Sequence, residues 1–259
     1  MLSFLDFANP WLVAIGLNTV LLALASILPK KLLTPAGLFH AWLLGVLIWV
    51  TLGWQGYLVV MFYFLVGSSV TRIGMAQKEA EGIAEKRSGA RGPENVWGSA
   101  LTAAVCALGV GILNSGLLIV SNLEFLLLLG YVASLSTKLA DTTASEVGKA
   151  YGKRTFLITT LQPVSRGTEG AVSLEGTIAG VVASIAIACV GWAVGLVDLL
   201  GVCWCILAAF IATNLESVIG ATLQSKYDWL TNEVVNIINT LIGAIAAIIL
   251  ALIWKITIS

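Results

Sequence analysis

The sequence predicts an all-α, polytopic membrane protein with about eight transmembrane helices, built as one integral membrane domain over residues 1–259. Three observations predict it. The chain is 58% apolar and 11% charged, with a mean hydropathy of +0.96, whereas a soluble domain is about half apolar and about a quarter charged. Its apolar residues gather in eight runs, each near the roughly 20 residues a helix needs to cross the hydrocarbon core. When the runs are counted as crossings, the basic residues between them fall on one side only.

The runs are 10–28, 36–53, 55–73, 97–114, 123–147, 173–195, 198–222 and 234–255. The opening MLSFLDFANP has neither a basic stretch nor a small-residue cleavage site, so no removable signal peptide is expected. Lys30 and Lys31 separate the first two runs, and 53–55 is a tight link between the second and third. The link 74–96 is mixed in charge, with Lys78, Lys86, Arg87 and Arg91 inside it and Arg72 at its edge. Its first half suits an amphipathic surface helix or a plain solvated face. The link 148–172 carries Lys149, Lys153, Arg154 and Arg166, and 223–233 carries Lys226. The intervening links 114–123 and 195–198 have Glu124 and Asp198 at their edges but no Lys or Arg. Twelve of the 14 basic residues thus share one face, leaving Lys138 inside a run and Lys255 near the C-terminus. The positive-inside rule makes that face cytoplasmic and puts both termini opposite it.

Zero net charge excludes a nucleic-acid partner. The four cysteines, Cys106, Cys189, Cys203 and Cys205, lie in apolar runs, and the i, i+2 spacing of the last two splays their sulfurs, so packing is their expected role. There is no convincing internal repeat. The glycine pairs Gly176/Gly180 and Gly191/Gly195 lead into pure hydrocarbon and suit helix packing.

The informative residues are polar ones inside apolar runs. Run five carries Lys138, Asp141, Thr142, Ser145 and Glu146; run six opens on Ser173, Glu175 and Gly176; run seven carries Asn214, Glu216 and Ser217; run eight carries Asn232, Asn236 and Asn239 at spacings of four and three. All fall at the cytoplasmic helix ends, where the active site is expected. Ser173 and Thr231 suit helix N-caps, but capping cannot account for acids flanked by hydrocarbon. Asp141, Glu146, Glu175 and Glu216 are the metal candidates, because oxygen ligands suit a hard cation such as Mg²⁺. Asp141 and Glu146 are about 140° apart on a helix, so sharing a metal requires the helix to end there. Gly148 and Gly152, flanked by Lys149, Lys153 and Arg154, read as the start of a phosphate loop, with Arg166 beyond it. Acids for a metal beside bases for phosphate imply phosphoryl or nucleotidyl transfer. Lys138 and Asp141, three apart, can pair. Arg72 and Arg91 bracket the 74–96 link and, with the asparagine stripe, could hold an acceptor phosphate.

Asp141-x2-Ala144-x3-Gly148-x3-Gly152, followed by Glu175-Gly176, resembles the nucleotide-binding pattern of dolichol and phytol kinases, membrane enzymes that use CTP. Those enzymes carry a KKT run before the Glu-Gly, where this chain has GAVSLEG and Arg166 lies further back. The segments DTTASEVGKAYG, GTEGAVSLEGTIAG, ESVIGATLQ and NEVVNIINT, in that order, resemble the phytyl-phosphate kinase family over nearly the whole chain. The resemblance implies an enzyme that converts an isoprenoid monophosphate, expected to be phytyl phosphate, to the diphosphate with CTP or ATP and Mg²⁺, supporting tocopherol and phylloquinone synthesis. It assigns catalysis to Asp141, Lys138 and Glu175, and nucleotide binding to the bases of 148–172 with Gly148, Gly152 and Gly176. Two alternatives use similar parts: a CTP-dependent lipid nucleotidyltransferase, and a transporter of a phosphorylated metabolite or divalent cation. A transporter should carry its charges near the bilayer midplane; here they gather at one end.

Overall fold

The computed structural model describes residues 9–27, 31–117 and 123–258. The signal-peptide expectation, which concerns the first residues, and the basic Lys30 lie outside them. The helices are α1 (Pro10–Ile27), α2 (Pro35–Thr71), α3 (Met75–Ala80), α4 (Pro93–Asn114), α5 (Leu123–Tyr151), α6 (Leu174–Ala193), α7 (Leu199–Ile219) and α8 (Asn232–Ile258). Their starts follow from local chemistry. Thr34 caps α2 by accepting from the Gly37 amide at 3.0 Å, Ser173 caps α6 from Gly176 at 3.2 Å, and Asp198 caps α7 from Gly201 at 2.6 Å. Each satisfies an amide that the first helical turn leaves open.

Seven of these helices are long and apolar enough to cross a membrane. One of the seven, α2, does so twice. A straight helix would separate Pro35 from Thr71 by about 54 Å, yet Arg72 donates to the Lys31 carbonyl at 2.9 Å. The Trp49 and Tyr57 rings lie 5.2 Å apart. The chain folds back at Gly53, whose φ of 64° and ψ of −160° break the helix in a region open essentially to glycine alone. The two limbs are the second and third runs read from the sequence, so eight segments traverse the bundle.

The bundle is organised around α5, which packs on α2, α4, α6, α7 and α8. Its stretch from Leu129 to Asp141 is buried throughout. Large side chains on the outer helices, among them Trp11, Val105, Val182, Phe210 and Ile253, are exposed, as a lipid-facing surface requires. Glycines permit the close approaches. A Cβ on Gly176 would lie 2.5 Å from the Ala144 carbonyl oxygen, and one on Gly180 2.9 Å from that of Ala140, so α6 packs backbone to backbone on α5. Gly191 makes room for the Val132 side chain, but Gly195 (φ 79°) has nothing near it and serves to end α6. Of the cysteines, Cys106 and Cys205 are buried, Cys189 and Cys203 are exposed, and all four are free.

Three local features depart from the sequence reading. The run expected to finish at 147 stays helical to Tyr151. The link that follows contains a small antiparallel pair, β1 (Thr155–Leu157) and β2 (Ala171–Ser173), in register Thr155↔Ser173. Beyond α7 the chain makes a π turn over Gly220–Gln224.

Candidate active site

The links 74–96 and 148–172 and the polar ends of α5, α6, α7 and α8 enclose a cavity of about 220 Å³ at one end of the bundle. Helix α5 supplies most of one wall through Lys138, Asp141, Ser145, Glu146, Gly148 and Lys149. The α6 start adds Ser173 and Gly176, α7 adds Glu216 and Ser217, and α8 adds Asn232, Glu233 and Asn236. Tyr63 of α2, Arg91 before α4, and Arg166 and Glu169 of the long link complete it.

Lys138 is held from two helices. Its Nζ donates to Asp141 Oδ2 at 2.6 Å and to Asn236 Oδ1 at 2.7 Å, linking α5 to α8. An ammonium has three donors, which leaves one for an incoming ligand. The i, i+3 pairing expected between Lys138 and Asp141 is present. Arg91 donates to the Tyr63 hydroxyl at 2.6 Å and lies 5.2 Å from the centre of that ring. Among the described residues it has no carboxylate partner, so its charge faces the cavity supported by a phenol and a π face. Arg166 bonds Glu81 at 2.7 Å, tying the long link to the segment after α3.

The expected four-carboxylate metal cluster does not assemble. Glu146 is buried in an ion pair with Lys78, whose Nζ also donates to the Thr71 carbonyl at 2.8 Å, and the other Glu146 oxygen lies 3.8 Å from Lys149 Nζ. Glu175 sits in the first turn of α6 and does not line the cavity. No three His, Cys, Asp or Glu side chains among the described residues form a metal-binding group. Asp141 and Glu216 do both line the cavity, beside Lys138 and Lys149.

The expected glycine cradle is also different. Gly148 is inside α5, and the Gly152 amide donates to the Gly148 carbonyl at 2.9 Å, so neither N–H is open to a phosphate. A glycine inside a helix costs only about 1 kcal/mol. Here it admits the α6 start, since a Cβ on Gly148 would stand 3.2 Å from Ser173 Oγ. Lys149, Arg166 and Gly176 line the cavity, whereas Gly152, Lys153 and Arg154 lie outside it. Arg72 lies outside too, on the Lys31 carbonyl. Of the asparagine stripe, Asn232 and Asn236 line the cavity; Asn239 is fully buried below it, its side-chain amide unpartnered.

Three contributors escape a sequence reading. Tyr63 looks like an ordinary aromatic in an apolar run. Lys78, in a mixed-charge link, reads as solvated but is 1% exposed. Glu169 had a visible signal: GTEG and SLEG repeat the same Glu-Gly pair six residues apart, and it is the first glutamate, not the second, that lines the cavity.

The integral membrane protein family DUF92 matches residues 18–244. The chain is 68% identical to a membrane protein of Synechocystis sp. over 243 residues, covering 94% of this chain and 92% of that one. It is 44% identical to the chloroplastic protein VTE6 of Arabidopsis thaliana over 252 residues, 96% of this chain and 74% of the plant protein. A membrane protein of Methanocaldococcus jannaschii is 27% identical over 242 residues, 92% of this chain and 95% of its own. No solved structure matches the chain.

Proposed function

Because this chain belongs to the DUF92 family of integral membrane proteins, and because its motifs resemble those of the phytyl-phosphate kinases, we propose that it is a membrane phosphotransferase. It moves the γ-phosphoryl group of CTP or ATP onto an isoprenoid monophosphate, phytyl phosphate being the expected acceptor, and so makes the diphosphate for tocopherol and phylloquinone synthesis. The observation that carries this reading is the cavity that gathers Lys138, Lys149, Arg91 and Arg166 with Asp141 and Glu216 at one end of a lipid-exposed bundle. Such a site suits an acceptor whose tail stays in the bilayer and a donor that arrives from water. The one-sided basic residues favour the cytoplasm as that aqueous phase.

In the reaction an oxygen of the acceptor phosphate attacks the γ-phosphorus. The bond from that phosphorus to the β–γ bridging oxygen breaks, and the nucleoside diphosphate leaves with the electron pair. The acceptor is already ionised near neutral pH, so no general base is required. The difficulty is bringing two anions together, which positioning and charge neutralisation overcome. Arg91, rigid on Tyr63, takes the acceptor phosphate with Asn232 and Asn236 beside it. Lys149 and Arg166 take the donor. Lys138, fixed by Asp141 and Asn236, offers its remaining N–H bond to the transferring group. Mg²⁺ typically takes one or two protein carboxylates plus substrate phosphates; Asp141 and Glu216 fit that donor set, and the ion would neutralise charge on the phosphates.

Purified protein incubated with γ-labelled CTP or ATP and a series of prenyl monophosphates tests the reading. Label in the lipid diphosphate is the expected result. Label released as pyrophosphate, with a nucleotide left on the lipid, would mean nucleotidyl transfer instead.

A further inference from the structure

A second, smaller cleft opens beside the cavity, between α6 and α7, and its floor is formed by Ala140 and Ala144 of α5. The two spaces are continuous: Ala144, Val172, Thr177, Thr213 and Ser217 line both. Away from the cavity the cleft runs between Gly180, Val181 and Ser184 on one side and Phe210 and Asn214 on the other. Phe210 is 47% exposed, and Ile178 and Val182 of α6 and Ile211 of α7 are exposed as well, so this face meets the hydrocarbon.

By residue name the cleft is polar, with five hydroxyl or amide side chains. Their hydrogen bonds make it otherwise. Thr177 donates to the Ser173 carbonyl at 2.9 Å and Ser184 to Val181 at 2.8 Å. Thr213 donates to Ala209 at 2.9 Å, Asn214 to Phe210 at 2.7 Å, and Ser217 to Thr213 at 3.2 Å. Each hydroxyl uses its donor on a carbonyl of its own helix, and Asn214 commits one of its two N–H bonds in the same way. What remains towards the cleft is mostly methyl, methylene and ring surface over a small-residue floor, the rest of the Asn214 amide being its polar exception. A branched hydrocarbon chain fits such a surface, since it asks for shape and apolar contact and strands none of the hydroxyl donors.

We propose that the α6–α7 cleft holds the isoprenoid tail of the acceptor, which enters sideways from the bilayer, and that Val181 and Phe210 set the chain length accepted. This rests on the phosphotransferase reading for the identity of the head group, but the tail's location can be tested without turnover. A twenty-carbon prenyl phosphate carrying a diazirine near its tail end should crosslink to α6 and α7 peptides, and unlabelled twenty-carbon phosphate should compete. A five-carbon prenyl phosphate should not. Crosslinks confined to other helices would overturn the proposal. In kinetics, Val181→Trp should raise KM for the twenty-carbon acceptor at least tenfold and leave KM for the five-carbon acceptor and the nucleotide within twofold. Phe210→Ala, at an exposed position that tolerates truncation, should raise KM for the long acceptor several-fold only. Equal effects on both chain lengths would overturn the proposal. Crosslinking to α6 and α7 without any phosphoryl transfer by the wild-type protein would leave the tail site standing and defeat the kinase reading.

Discussion

Asp141 carries two tasks in one carboxylate: it compensates the buried Lys138 and lines the cavity beside Glu216. Asp141→Asn keeps the size and a hydrogen-bond acceptor while removing the charge. Turnover, followed as γ-label reaching lipid, should fall by at least about 100-fold, the scale of one lost charge-stabilising contact in a transition state. The variant should still insert. Retention of near-normal turnover at low Mg²⁺ would remove Asp141 from the metal site. The lysines of the long link divide cleanly, because Lys149 lines the cavity and Lys153 is exposed outside it. A charge-assisted contact is worth about 1.5–3 kcal/mol, and about 1.4 kcal/mol is tenfold in affinity. Lys149→Gln should therefore raise the nucleotide KM about tenfold or more, and Lys153→Gln should leave it alone. Equal KM values for the two variants would make both lysines topology signals.

At the scale of elements, α3 is six residues long and cannot hold itself helical. It is fixed by Lys78, which reaches the Thr71 carbonyl and Glu146 on α5. Both charges are buried, and removing one partner of such a pair typically costs about 3–5 kcal/mol because the other is stranded. Glu146→Gln in detergent should lower the unfolding temperature clearly. Lys78→Met combined with Glu146→Leu should recover part of the loss, since the buried Lys78 charge is then removed together with its partner, while the more exposed Lys149, 3.8 Å from Glu146, still loses its own. A double variant no more stable than the single one would show that the pair's value is in its geometry rather than in mutual compensation. The α5–α6 contact is held by a different device, glycine against carbonyl oxygen, and tolerates no side chain at Gly176.

Across the whole molecule, α1 leads into Lys31, which meets Arg72, and α8 starts at Asn232, which lines the cavity. The outer ends of α1 and α8 are therefore remote from the site. If the basic links are cytoplasmic, as the positive-inside rule expects, Thr160→Cys, exposed in the long link, should resist a membrane-impermeant maleimide in intact cells and react after permeabilisation. Ready labelling from outside would invert the orientation. Tyr227 and Trp229 are exposed beside Lys226, a grouping suited to the headgroup layer at this same end.

The sequence by itself determined the membrane class, the eight crossings and the end of the bundle where polar chemistry collects. Those properties depend on hydrophobic run length and charge sidedness, which are additive along the chain. It also identified Lys138, Asp141, Glu216, Lys149, Arg166, Arg91, Asn232 and Asn236 as residues of one region, because each is a polar group at the same end of its helix or, for Arg91 and Arg166, in a link on that same face. Only the tertiary structure decided which acids are available. Glu146 is taken by Lys78, 68 residues earlier, and no local pattern foretells a partner that distant. Glu175 and Glu169 differ by the turn into α6, which the packing of Gly170 against α7 fixes: a Cβ there would stand 2.5 Å from the Ser217 carbonyl oxygen. Gly148 stayed helical because its missing side chain is filled by the start of α6. In each case the outcome was set by what packs alongside, a three-dimensional fact that spacing along one chain cannot carry.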